Sequence, residues 1–321
     1  MRLRSVFALV ALWLSATLAS GQDNKLLHIV VPFPAGGATD ALARGLAPRL
    51  GAELGMNVVV ENRAGASGQI GTGYVKSAPA DGSVVLFTAD HTIVTVPHLV
   101  PNAGFDPLRD FVALGQVARF PLALSVSPAS GAKSLPELLT YYKANADGTR
   151  RNYGIPVIGG FPSTVGVALT KASGAALVAV PFQGSGQVLL NVAGDQVPAG
   201  VTGLGDAVPM HTGGRVRIVA ITGARRSPAL PEVPTFEELG VRGLNQVSWY
   251  AFFAPKALPA ATAERFNQAL AKALEDPAVR RKIADLSVEF APTNMAESAA
   301  EFKSAAEFWT EAAKSPDFVR P

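Results

Sequence analysis

Hydrophobic and polar positions alternate between two periods along most of this chain. "KLLHIVVPF", residues 25–33, is a compact run rich in β-branched side chains, and such a run predicts a strand buried on both faces. Leu42, Leu46, Leu50 and Leu54 then recur every fourth residue, which predicts a helix, and Gly55 stands where a left-handed glycine ends one. Pro48 falls inside this pattern and predicts a kink. "MNVVVEN" reads as a second strand, "RAGASGQIG" as a glycine-rich turn opening a helix through Lys76, and "ADGSVVLFTAD" as a turn followed by a third strand. The order βαβαβ implies a mainly parallel sheet in an α/β domain.

Two strand-like stretches, "FVALGQV" and "LALSVS", meet around Arg119 to Pro121 and suggest a chain leaving one sheet for another. Beyond them the same grammar recurs. "LPELLTYYKAN" is helical, "YGIPVIGGFPST" is a glycine-rich loop opening a helix, "ALVAVPF" is a strand, "GSGQVLLNVAGDQV" is a short helix and "RVRIVAIT" is a strand. "VPTFEELG" reads as a small helix and "VSWYAFFAP" as an extended return segment, before helices over 262–275 and 296–313. An α/β unit inserted into another, with two extended crossings, makes a two-lobed molecule around a central cleft. The expected division is residues 22–119 with 250–321 in the first lobe and 120–249 in the second. Ligand sites in such sheets lie at the carboxyl ends of strands, beside helix N-termini.

Composition narrows the chemistry. Residues 1–21 carry Arg2 and Arg4, an uncharged apolar stretch and then small residues, the pattern of a secretory signal peptide. The mature chain of about 300 residues suits two domains. Arg2 and Arg4 supply two of the net +3 charges, and the remaining basic residues are scattered, so nucleic acid is not an expected partner. Without cysteine, thiol catalysis and cysteine-ligated metals are excluded.

Among the glycine loops, "PAGGATD" lacks the Lys-Ser/Thr pair of a phosphate-binding loop, and Asp40 in it reads better as a loop brace than as an anion contact. Gly65, Gly68 and Gly71 superficially match a dinucleotide fingerprint, with Asp90 further on, but Asn62 to Ala64 lengthen the turn, and close helix-to-sheet packing is the simpler reading. His28, His91, His98 and His211 show no metal-binding spacing, and His28 reads as a core residue. Ser163 and Ser185 lack the frame of a hydrolase nucleophile. No cofactor, metal or catalytic residue is expected.

"IVVPFPAGGATDALAR", "VVVENRAGASGQIG", "VPFQGSGQVLLNVAGDQV", "RRSPALPEVPTFEELG" and "SWYAFFAPKALP" together resemble the Bug, or TctC-like, family of extracytoplasmic solute receptors of the tripartite tricarboxylate transporter type. The resemblance spans nearly the whole mature chain. It implies a periplasmic binding protein of the two-domain type, holding a small carboxylate and serving a membrane permease pair or, alternatively, a sensor. A monomer is expected, and an exported hydrolase is the remaining, weaker alternative.

Carried over by the resemblance, the ligand loops of the first lobe are Phe33, Pro34, Ala35, Gly36, Gly37, Ala38, Thr39 and Asp40, with Asn62 and Ser67, and with Thr88 and His91 at a strand end. Those of the second lobe are Gly159, Gly160, Phe161, Ser163 and Thr164, and then Phe182, Gln183, Gly184 and Ser185. Phe182 and Gln183 stand where the family more often has tyrosine and lysine. The cleft is therefore expected to be less cationic and flanked by Phe33, Phe161 or Phe182, favouring a monocarboxylate or an aromatic acid over citrate, because each desolvated carboxylate needs donors or a counter-charge.

Overall fold

The computed structural model describes residues 25–100, 102–145 and 150–314, and the proposed leader 1–21 lies outside them. In chain order the elements are β1 (Leu26–Val31), α1 (Ala38–Leu54), β2 (Asn57–Asn62), α2 (Gln69–Lys76), β3 (Val84–Ala89), α3 (Val96–Leu99), α4 (Pro107–Asp110), β4 (Phe111–Phe120) and β5 (Leu122–Val126). They continue as α5 (Leu135–Ala144), β6 (Asn152–Ile155), α6 (Gly160–Ser173), β7 (Val178–Pro181), α7 (Ser185–Ala193), β8 (Ala199–Gly203), α8 (Leu204–Thr212) and β9 (Arg217–Ile221). The chain closes with β10 (Ser248–Pro255), α9 (Ala260–Glu275), α10 (Pro277–Asp285), β11 (Glu289–Phe290) and α11 (Met295–Ala312).

These strands form two mixed sheets, one ordered β11-β4-β10-β3-β1-β2 and the other β7-β6-β8-β5-β9. β1 runs parallel to β2 and β3, while β10 is antiparallel to both β3 and β4. The chain passes from the first sheet to the second between β4 and β5 at Pro121 and returns by β10. The result is two α/β lobes, each a mixed sheet rather than the mainly parallel one expected, with helices flanking each sheet.

Apolar periodicity becomes packing most directly in the first lobe. Leu27, Ile29 and Val31 of β1 share a buried core with Leu42, Leu46, Leu50 and Leu54 of α1, whereas Val30 points to a second core with Leu86, Phe253 and Phe302. β1 is therefore covered on both faces in its second half only, since Leu26 is exposed and His28, expected in the core, is half-buried beside Glu61. Gly55 ends α1 in the left-handed conformation, at φ 64°. Pro48 sits within α1 without ending it. At the other end of the chain, Asn294 and Glu297 form a capping box at the start of α11.

The second lobe departs from the expected string in four places. Residues 152–155 and 199–203 are strands rather than loop, residues 204–212 are helical, and "VPTFEELG" folds as successive turns, with Thr235 bridged to Ile221. In the first lobe a further helix, α10, stands between the two closing helices. Among the described residues, no helix is long and apolar enough to cross a membrane.

Candidate functional site: a cleft between two helix starts

A cleft of about 510 Å³ lies between the lobes, within the size range of small-molecule sites. Its first-lobe wall is the loop from Phe33 to the start of α1, together with His91 and Tyr250. The second-lobe wall includes Gln183, Ser185, Gly203 and Asp206. Phe120 and Tyr250 stack in it with ring centroids 4.2 Å apart and planes 17° apart.

The loop is held from behind. Asp40 accepts the Gly36 amide at 3.0 Å, Arg44 Nε at 3.1 Å and Asn62 Nδ2 at 2.9 Å, and its other contact with Arg44, through Nη2, is 3.0 Å. Asn62 also donates to the Phe33 carbonyl at 3.1 Å. Burial raises the Asp40 carboxyl, but the Arg44, Gly36 and Asn62 donors outweigh it and hold the group below its ordinary value. These contacts turn Asp40 and Asn62 into the brace of a loop whose backbone faces the cleft. Gly36 takes φ 93°, a left-handed conformation that glycine adopts without strain. Gly37 precedes the 17-residue α1 as its N-cap and offers no side chain to its free amides. A helix start without a capping side chain is a site for an anion.

One anion already faces it. Asp206, in the first turn of α8, accepts the Ala38 amide at 2.7 Å across the cleft, and the Ser185 hydroxyl also bonds its carboxyl. Withdrawal from solvent raises Asp206 above the ordinary carboxylate value, against the effect of those two donors. Burial and the neighbouring Asp206 charge also push the Tyr250 phenol well above its usual value, which keeps it a neutral donor.

The remaining site candidates divide by position. Phe33, Pro34, Ala35, Gly36, Gly37, Ala38, Thr39, Asp40, His91, Gln183 and Ser185 border the cleft. Ser67, Gly159 and Gly160 stand where the lobes touch: the Ile158 amide donates to Ser67 Oγ at 3.1 Å, and a Cβ on Gly160 would lie 3.1 Å from His91 Cβ. Gly184 approaches Pro34, with a Cβ there 3.6 Å from Pro34 Cδ. Thr88 is fully buried in β3, and Thr164 bonds back to the Gly160 carbonyl at 3.4 Å. Ser163 bonds the Tyr153 phenol.

The aromatic flank needs correction. Phe161 is buried in the lobe core, and Phe182 packs toward Gly154, where a Cβ would meet its ring at 3.1 Å. Phe33 does border the cleft, and Phe120 and Tyr250, contributed by the crossing strands, line it with Phe33. Sequence reasoning also missed Asp206. The available signal was an aspartate in the first turn of a helix after a small-residue run, the same arrangement as Asp40. Gly71 packs against Pro32 and the Arg63 carbonyl, each 2.9 Å from where its Cβ would stand, so its role is close packing. Among the described residues, no group of three or more His, Cys, Asp or Glu side chains is arranged to hold a metal ion.

The family model of the tripartite tricarboxylate transporter family receptor matches residues 42–306. The chain belongs to this receptor family, TctC. Protein BugT of Bordetella pertussis is 32% identical over 254 residues, 79% of this chain and 77% of BugT. Among solved structures, the periplasmic binding protein BugD matches with a TM-score of 0.84 at 30% identity, over 92% of this chain and 98% of BugD. R. palustris Rpa4515 with adipate matches with a TM-score of 0.83 at 29% identity, over 91% and 97% of the two chains. The TctC family is one of substrate-binding receptors, and this chain shares the two-lobed fold of its solved members.

Proposed function

We propose that this TctC receptor is a periplasmic, monomeric protein that captures a small carboxylate in the interlobe cleft and presents its closed form to a membrane transporter of the tripartite tricarboxylate type, without covalent chemistry. The observation that carries the reading is the start of α1, which Gly37 leaves without a side-chain cap of its own and which borders a partly aromatic interlobe cleft. Several converging neutral donors stabilise an anion well when water is excluded. The adipate of the related Rpa4515 structure and the periplasmic origin of BugD support the same reading. Closure turns on the crossings near Arg119 and Ser248, between the proposed first lobe, residues 22–119 with 250–321, and the proposed second, residues 120–249.

The described lining of the cleft includes no Lys or Arg, so a second ligand carboxylate would find no counter-charge there. We therefore favour a monocarboxylate or aromatic acid over citrate. A thermal-shift screen over mono-, di- and aromatic acids tests the assignment, since a ligand at 100 times its dissociation constant adds about 2.7 kcal/mol of stability. The expected result is a saturable shift with at least one acid, accompanied by a smaller radius of gyration in solution scattering. No shift with any acid overturns the carboxylate reading, and binding with an unchanged radius overturns closure.

A further inference from the structure

Asp206 is a cleft residue whose carboxylate has no cationic partner among the described residues. Its Oδ1 takes the Ala38 amide at 2.7 Å, one of the donors that a ligand carboxylate at the start of α1 would use. Its two partners, that amide and the Ser185 hydroxyl, are neutral. Asp40 is already matched by Arg44, and His91, the remaining titratable nitrogen on the cleft wall, turns Nδ1 toward Asp90 at 3.6 Å. An ionised ligand carboxylate docked on the α1 amides would thus add a second negative charge beside an uncompensated one, which low-dielectric surroundings penalise.

The space beside the other Asp206 oxygen has a different character. A Cβ at Gly203 would stand 3.2 Å from Asp206 Oδ2 and 3.4 Å from the Phe120 ring, so the missing side chain lets carboxylate and ring converge. Phe120 in turn stacks on Tyr250. A carboxylate beside aromatic rings is a combination suited to an ammonium group, through a charge-assisted hydrogen bond and, where a ring face is offered, cation–π attraction.

We propose that Asp206 is the specificity-determining residue of the cleft and that it selects a carboxylate bearing a protonated amine beside it over the same acid without the amine. The ligand's carboxylate meets the amides at the start of α1, its ammonium meets Asp206, and each negative charge then has a partner. This inference rests on the carboxylate-receptor reading and adds the second half of the ligand.

Isothermal titration of the mature chain with matched pairs tests it: glutamate and glutarate, phenylalanine and 3-phenylpropionate, alanine and propionate. The wild-type protein is expected to bind the amino member of at least one pair at least about tenfold more tightly, because a site built around a polar contact rejects the analogue lacking it. Asp206→Asn should erase that ratio by weakening the amino member while sparing or improving its partner. Equal binding within every pair, or preference for the deaminated acid, overturns the role of Asp206 and leaves the carboxylate reading standing. Equal weakening of both members by Asp206→Asn also overturns it, since that marks a scaffold residue. Binding of no acid in either set overturns the carboxylate reading and this inference with it. The wild-type ratio is decisive even if the variant does not fold.

Discussion

Asp40 and Asp206 occupy the same local position, in the first turn of a helix that follows a strand, and face the same cleft from opposite lobes. Their surroundings differ. Asp40 has a guanidinium, an amide side chain and a backbone donor behind it, and its carboxyl lies below its ordinary value. Asp206 has two neutral donors and restricted access to water, and its carboxyl lies above it. The residue type and helix position therefore do not decide the role. What decides it is whether a cation stands behind the carboxylate, and this makes Asp40 part of the frame and leaves Asp206 available to a ligand.

The largest effect is expected from breaking the frame. Asp40→Ala strands the Gly36 amide, Arg44 and Asn62 at once and should cost about 2 kcal/mol, the scale of hydrogen bonds to a charged group. Urea unfolding measures this loss, and titration of whichever acid the screen identifies should show a parallel fall in affinity as the loop loosens. Unchanged stability would remove the contrast between the two aspartates.

How far this contrast could be read from the sequence follows from packing. The β1 loop and α1 were legible because bulky apolar residues recur at clear periods and all four leucines, Leu42, Leu46, Leu50 and Leu54, are buried in one core. β6 and β8 were not, for a common reason. A Cβ at Gly154 would lie 2.9 Å from Val188, and one at Gly200 would overlap the same side chain, so α7 lies against both strands at glycines. Close helix packing removes the bulky residues by which a strand is recognised. α8, and with it Asp206, followed directly from the unrecognised β8. The brace of Asp40 was readable as a role, but its partner Asn62 comes from another strand and was expected to touch ligand; only the fold brings the two together.

Acid titration sharpens the comparison with an effect of intermediate size and opposite signs. Asp40 has a folded value below 3.8, so its stabilisation is present above that pH and fades as pH falls through the lowered value. Asp206 has a folded value above 3.8, so its contribution is full below that pH and is lost as pH rises through the raised value. Unfolding free energies across this range should show wild type losing its advantage over Asp40→Asn as pH falls. Over the same range, Asp206→Asn should gain on wild type as pH rises. Parallel pH profiles for the two variants would mean that the aspartates share one environment, contrary to the contacts seen.

The smallest effect separates contacts inside the cleft from an exposed contact between the lobes outside its lining. Arg225 and Glu289 pair across the lobes at 2.8 Å, but both side chains are more than half exposed, at 78% and 58%. Water and salt screen such a pair, and it is worth at most about 1 kcal/mol. Arg225→Ala should therefore shift ligand affinity less than fivefold, about 1 kcal/mol at most, with the difference shrinking further as salt is added. Asp206→Asn acts in the low-dielectric interior, and its effect on the paired ligands should persist in the same salt. Comparable salt sensitivity in the two variants would put Asp206 in contact with bulk water, as Arg225 and Glu289 are.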